Sequence, residues 1–310
     1  MAAGLRNLAA NRTTLGWKKT VGKILQPINT YTRFAEYEKF HSAIWPEVSG
    51  HKGTRAEVLD VGSPKLFGLY LASRYATRAH LTDLREGDLE EYSIMWSALS
   101  GTASGEALLE KQDARALSYA DSAFDIVYSM SAIEHVEGAA GDSRAMGEMW
   151  RVLKPAGLLV VSVPFGHEYI EQAMMGFSYT ATLVDRHKSY FFQRIYDKSA
   201  VQDRLLSALE PRPQAVHIFT IHRSRAMSIA TVIHKARALL GLNLLGLVGF
   251  LNPMVSALLN RDCEGYGQGV LASYGPVHSL ADIYADLVVI CRKAPQGSGS
   301  VRSTGSESRP

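Results

Sequence analysis

The chain has 310 residues, 46% apolar and 20% charged, which lies within the globular range and suits one large α/β domain with an inserted lobe or two small domains. Its formal charge of +3 is too small to mark a nucleic-acid binder. The two cysteines, Cys263 and Cys291, form no CxxC pair, so no zinc site or disulfide framework is visible and the chain fits a reducing compartment.

Residues 1–55 read as a helical and basic segment. Met1 to Ala35 carries Arg6, Arg12, Lys18, Lys19, Lys23 and Arg33 without an acid. Three readings stay open: an organellar transit peptide, a basic segment resting on anionic lipid, or a solvated arm. The first residues are not expected to form a secretory signal, since no apolar core followed by a cleavage site is read there. The aromatics Tyr31, Phe34, Tyr37 and Phe40 recur three apart, which predicts one helix face, and Pro46, Gly50 and Gly53 then break the pattern.

From Glu57 strands and helices alternate. The predicted elements are a strand over Glu57–Val61, a helix over Pro64–Tyr75, a strand over Arg78–Asp83 and a helix over Leu89–Leu99. A third strand over Ala107–Lys111 and a fourth over Phe124–Ser129 follow. A helix over Ser143–Leu153 is stopped at Lys154-Pro155, and Gly157–Val163 is apolar throughout, as in a strand buried on both faces. Such alternation implies a parallel sheet with right-handed crossovers. After Pro164 the pattern loosens. Ser199–Leu209 reads as a helix, Ala215–Thr220 as a sixth strand and Ala285–Arg292 as the last. The tail from Ala294 to Pro310, rich in Gly, Ser and Pro, is expected to be disordered.

The first strand ends in Val58-Leu-Asp-Val-Gly62-Ser-Pro64-Lys65. Gly62 allows a tight backbone turn beside a ligand. Ser63 is read as an N-cap and Pro64 as the first helical residue, so that the following helix aims free N–H groups at the turn. Asp83, at the end of the next strand about 20 residues on, can hydrogen-bond both hydroxyls of a ribose.

These residues resemble those of class I S-adenosylmethionine (SAM)-dependent methyltransferases, in the type 11-like branch. Leu59-Asp60-Val61-Gly62 is similar to that family's first motif, Asp83 to its ribose acid and Asp113-Ala114 to its adenine-binding acid. Asp121 to Val136 resembles the fourth-strand motif, and Arg151-Val-Leu-Lys-Pro155-Ala-Gly157 to Pro164 the helix, turn and fifth strand after it. The match covers roughly residues 56–166 and the final strand. It implies a Rossmann-like, doubly wound α/β fold: a mostly parallel seven-stranded sheet, its last strand antiparallel, plus a helical insertion. It implies SAM as cofactor, held by Asp60, Gly62, Ser63, Pro64, Asp83, Leu84, Asp113, Ala114 and Ser129. One departure stands out. In the usual GxGxG turn the second and third glycines are here Pro64 and Leu66, so the loop must meet the methionine part of SAM differently. Lys65 is read either as a partner for the SAM carboxylate or as a solvated first-turn lysine.

Methyl transfer relies largely on positioning, and a base is needed only where the acceptor must lose a proton. The catalytic candidates are His135, beyond the fourth strand, and His167, beyond the fifth, both on the rim where such sheets bind ligands. Glu134-His135 also belongs to the family's general pattern, so a structural role stays open, as does a plain surface role for His167. Asp185-Arg-His187 is a further candidate for the acceptor pocket. No metal-ligand spacing stands out, and no metal is expected.

Ala238 to Leu251 is almost wholly apolar but shorter than the about 20 residues a bilayer span needs. Asn252-Pro253 kinks it, Met254–Leu259 continues it, and His222, Arg223, Arg225, His234, Lys235 and Arg237 precede it. That pattern fits an interfacial membrane helix, a buried lid or a dimer helix. The domain reading is a methyltransferase domain over residues 56–293: core 56–166, an acceptor-side insertion at about 167–214 and the apolar insertion at about 222–260. The expected function is methyl transfer to a small-molecule, glycan or lipid-linked acceptor in the cytoplasm, with peripheral contact at the inner membrane face left open and the oligomeric state unassigned. The alternative is a non-catalytic, membrane-associated or scaffold relative. A nicotinamide oxidoreductase would want GxGxxG, which Gly62 to Gly68 does not supply. A nucleic-acid partner is not expected, because no Asn/Asp-Pro-Pro-aromatic motif follows the fourth strand and the basic residues form no aromatic-interleaved patch.

Overall fold

The computed structural model describes residues 31–50, 54–181, 183–221 and 285–296. The basic arm over 1–30, the apolar insertion at 222–260 and the tail from 297 lie outside the described residues. Helix α1 spans Tyr31–Gly50 with Pro46 in its interior. Pro46 reads in the sequence as a stop, because proline removes a ladder N–H. Burial overrides it: Phe40, Ile44 and Val48 recur at helical spacing and are buried, and Val48 lies beyond the proline.

The core then alternates as expected, with bounds shifted by a few residues. β1 is Ala56–Val61, α2 Leu66–Arg74, β2 Thr77–Asp83, α3 Glu86–Leu99, β3 Glu106–Lys111, β4 Phe124–Met130, α4 Gly141–Val152 and β5 Leu153–Phe165. A hairpin of β6 (Ile170–Met175) and β7 (Ser189–Ile195) follows, and β8 (Ala215–Ile221) and β9 (Ala285–Arg292) close the described chain. The main sheet has the order β3-β2-β1-β4-β5-β9-β8. β1 to β5 are parallel, and β9 is antiparallel to both neighbours. The fold is α/β, Rossmann-like and doubly wound, with a mostly parallel seven-stranded sheet whose last strand is antiparallel.

Both faces of the sheet are covered, and the strand period of two distributes side chains between them. Leu59 and Val61 of β1 join Val127, Leu159 and Val161 in one core with Met146, Met149 and Trp150 of α4. Val58 joins Ile126, Tyr128 and Val160 in the opposite core with Phe40 and Ile44 of α1 and Phe67 and Leu71 of α2. Because β1 is flanked by β2 on one side and β4 on the other, the connections after β1 and β4 leave in opposite directions. The crevice between them is where open α/β sheets bind ligands.

The β6–β7 hairpin was not legible in the loosened pattern after Pro164. Gly176, at φ +65°, opens the connection between its two strands, and Arg194 fastens the hairpin to the core. The guanidinium of Arg194 is buried and donates to the carbonyls of Val136 and Gly138, 2.7 and 2.5 Å away, and to Glu171 at 3.2 Å. The helix expected at Ser199–Leu209 is instead one short turn, Lys198–Ala200, running into a π-helical turn, Val201–Leu206.

Helix α1 is fastened to the sheet rim by one buried acid. Glu36 Oε1 accepts from the hydroxyls of Ser131 and Ser162, both at 2.6 Å. Glu36→Ala removes the acceptor for both and is expected to cost about 2–3 kcal/mol, with Glu36→Gln costing less. Urea unfolding followed by circular dichroism measures this, and an unchanged midpoint in Glu36→Ala would contradict it. Cys291 lies in the core, where burial pushes its thiol up to about 12. It therefore stays protonated at pH 8, and the thiolate is the reactive form. A disulfide reagent is expected to spare Cys291 in the native protein and to modify it in denaturant, as peptide mass spectrometry would show. Rapid native labelling at that residue would refute the burial.

Candidate functional site

The loops after β1, β2, β3 and β4 enclose a cavity of about 400 Å³. This is large enough for a nucleoside-sized ligand. Gly62, Asp83 and Asp113 all line it, so the three residues singled out in the sequence converge on one rim. Ser63, Pro64, Leu84, Ala114 and His135 line it as well. Asp60 and Ser129 stand behind the wall, not in it. Asp60 is fully buried, and the Ser129 hydroxyl donates to the Val61 carbonyl at 2.8 Å.

The wall begins at Gly62. Its φ of +72° belongs to the left-handed region, and an added Cβ would stand 3.1 Å from the Cβ of Ala132. A side chain here would be strained and would crowd the loop after β4. The Gly62 N–H donates to the Thr82 carbonyl at 3.0 Å, which continues the β1–β2 ladder into the turn.

Ser63 does not cap the helix. Its hydroxyl accepts from the Met130 N–H at 2.9 Å, and its own N–H donates to Asp60 Oδ1 at 3.0 Å. The residue before α2 is Lys65, which gives no side-chain cap, and Pro64 precedes the helix instead of opening it. The reason is that Ser63 already ties β1 to the end of β4, so its oxygen is committed elsewhere.

Lys65 meets neither sequence reading, since its side chain is 1% exposed. The ammonium donates to Asp60 Oδ1 at 3.0 Å and to the Ser63 carbonyl at 2.6 Å, and lies 3.6 Å from Asp83 Oδ2. Burial raises the pKa of Asp60, and the adjacent Lys65 charge opposes that rise. Burial likewise pushes the Tyr128 hydroxyl up, reinforced by the Asp60 charge.

The other two acids are also held. Asp83 Oδ1 accepts from the Arg85 N–H at 3.1 Å. Arg115 grips Asp113 in a bidentate pair, with Nε to Oδ1 at 3.0 Å and Nη2 to Oδ2 at 2.7 Å. These hydrogen bonds hold the Asp113 carboxyl below the usual carboxylate range.

On the far side of the cavity stand His135 and Tyr179. His135 Nδ1 lies 2.7 Å from the carbonyl oxygen of Phe192. A carbonyl only accepts, so Nδ1 carries the proton and Nε2 holds the lone pair in the neutral ring. The Tyr179 ring packs on His135 with centroids 4.5 Å apart and stacks with Phe192. Burial and the charge of Glu134 raise the Tyr179 pKa.

His167 is not brought to this site. It is exposed in the turn between β5 and β6 and is not among the residues lining the cavity, because the chain there leaves the rim to build the hairpin. Asp185 and His187 are likewise exposed in the β6–β7 connection, where the Asp185 carboxylate accepts from the His187 N–H at 2.9 Å. Residues of the wall that the sequence did not single out include Arg115, Ser131 and Tyr179. Lys65 was visible as the residue between two glycine replacements, but its burial was not.

Residues 59–161 match the family described as "Methyltransferase domain". The chain is 30% identical over 156 residues to the sterol 24-C-methyltransferase of Neurospora crassa, covering 49% of this chain and 38% of that one. The chain thus spans about two fifths of the length of this curated relative. Among solved structures, a SAM-dependent methyltransferase from Methanosarcina mazei matches at 14% identity and TM-score 0.46, covering 81% of this chain and 98% of that one. The 1,6-didemethyltoxoflavin-N1-methyltransferase of Burkholderia thailandensis matches at 14% identity and TM-score 0.45, covering 95% and 92%. The strand order and the turn at Gly62 agree with the match of residues 59–161 to the methyltransferase domain family.

Proposed function

We propose that this chain transfers a methyl group from SAM to a small, largely apolar acceptor, lipid-linked or free. The observation that carries the reading is the convergence of Gly62, Asp83 and Asp113 on one nucleoside-sized cavity. The residues fit the cofactor. Gly62 leaves the backbone bare at the wall, Asp83 offers a carboxylate to a ribose diol, and Asp113 with Ala114 stands where an adenine edge would be met. Bound there, SAM supplies an electrophilic methyl group on a sulfonium centre.

The protein's part is to hold, orient and deprotonate. Tyr179 and His135 wall the far end of the cavity and fix where an acceptor can lie. The His135 Nε2 lone pair can take a proton from an acceptor hydroxyl or amine. Glu134 Oε1, 3.7 Å from that nitrogen, is placed to stabilise the charge that results. Support for an apolar acceptor comes from the hairpin beside the cavity. Met174, Met175, Leu183 and Val184 are exposed there, with Leu183 at 89%, in the segment that leads to and from Tyr179.

A second reading has its own observation. Asp83 and Asp113 already face internal cations, Lys65 and Arg115, as they would in a relative that binds no cofactor. Titration calorimetry with S-adenosylhomocysteine separates the two. Binding is expected in the intact protein and is expected to weaken by about tenfold or more in Asp83→Ala, which removes a charged hydrogen-bond acceptor. Absence of heat in the intact protein would favour the non-catalytic reading. For the acceptor, methyl-labelled SAM incubated with the protein and a total lipid extract is expected to place label in the organic phase. His135→Ala should reduce that transfer by about 100-fold or more if the ring accepts the proton. Label confined to water-soluble products would overturn the apolar assignment.

A further inference from the structure

The turn that departs from the glycine-rich pattern contains a buried cation. The Lys65 ammonium donates to Asp60 Oδ1 and to the Ser63 carbonyl. It also forms an ion pair with Asp83 Oδ2 at 3.6 Å, beyond hydrogen-bond distance. Lys65 and Asp60 are both sealed from solvent, at 1% and 0% exposed, whereas Asp83 is 22% exposed and lines the cavity. Lys65 is not among the residues lining the cavity. It touches two residues of the wall, Ser63 through its carbonyl and Asp83 through its carboxylate, and of these Asp83 carries the charge.

We infer that Lys65 is a positioning residue that presets Asp83 for a vicinal diol, so that the site prefers a ribonucleoside over its dideoxy counterpart; this rests on the cofactor reading above. The Asp83 carboxylate is constrained at both oxygens, Oδ1 by the Arg85 N–H and Oδ2 by the Lys65 charge. That holds it in one orientation. A carboxylate so fixed spends no rotamer freedom when two adjacent hydroxyls donate to it. Pro64 makes the arrangement possible. It has no N–H to satisfy and a fixed φ, and Lys65 follows it at φ −65° and ψ −12°, with its side chain turned under the wall instead of out to water. Pro64-Lys65-Leu66 thus builds the cofactor turn with a side-chain cation where the family uses bare backbone.

The test compares adenosine with 2′,3′-dideoxyadenosine by titration calorimetry, with S-adenosylhomocysteine as the reference ligand. Lys65→Met alone leaves Asp60 buried without its counter-charge and can unfold the chain. The working variant is therefore Asp60→Asn with Lys65→Met, read against the wild type. The wild type is expected to prefer adenosine by about tenfold. In the double variant the preference is expected to fall toward unity while dideoxyadenosine binding is retained. Equal weakening of both nucleosides would mean general damage to the pocket and would overturn the inference. A preference that survives in the double variant would also overturn it. Lack of S-adenosylhomocysteine binding in the wild type would overturn the cofactor reading itself, a different result. A measurement on the unaltered chain stands beside these: the Lys65 Nζ resonance in a 15N-lysine sample is expected to shift with adenosine and to hold still with dideoxyadenosine. No shift with either would count against the coupling.

Discussion

Asp60 is a carboxylate with no exposed surface at the end of a strand covered on both faces, and the candidate site is arranged around how its charge is met. An unpaired buried carboxylate is costly enough to be driven neutral. Here Oδ1 accepts from the Ser63 N–H and the Lys65 ammonium. Those two contacts fold the chain sharply after Val61, and the fold requires the positive φ that Gly62 supplies. The Ser63 hydroxyl then reaches across to the Met130 N–H, so the same turn locks the ends of β1 and β4 together. The floor of the crevice at the switch point is thus tied together by the chain's own hydrogen bonds.

From that floor the rest of the site follows by topology. β2 lies beside β1 and β3 beside β2, so the acids at their ends, Asp83 and Asp113, come to one rim although they lie 30 residues apart in sequence. The hairpin after β5 closes the other side, with Tyr179 against His135 and Arg194 buried among the carbonyls of the loop after β4. Helix α1, which lies outside the family-matched segment, reaches the same rim through Glu36 and Ser131. Ser131 lines the cavity, so the site draws on elements from both sides of the matched segment.

What could be read from the sequence was what repeats or alternates. The parallel strands are short apolar runs between helices, and Gly62, Asp83 and Asp113 sit at strand ends where the architecture puts ligands. Direction of side chains was not legible. Lys65 read as either a partner for the SAM carboxylate or a solvated lysine, and the neighbouring buried Asp60 explains why it turns inward instead. Pro46 looked like a helix stop because the proline signal is local, whereas the burial of Val48 beyond it is tertiary. The β6–β7 hairpin was hidden because its outward face is partly apolar and the burial of Arg194, which ties it to the loop after β4, is tertiary. His167 looked equivalent to His135 by its distance from a strand end, yet the chain turns away after β5 and leaves it in solvent.

A crystal structure of the chain grown with S-adenosylhomocysteine tests the central claim most directly. The account predicts an adenosyl group in the crevice between the β1 and β4 loops, its ribose on Asp83 and its adenine beside Asp113, with the Lys65 ammonium still on Asp60. Density for the ligand in another place, or a Lys65 side chain swung out to make room for it, would contradict the account.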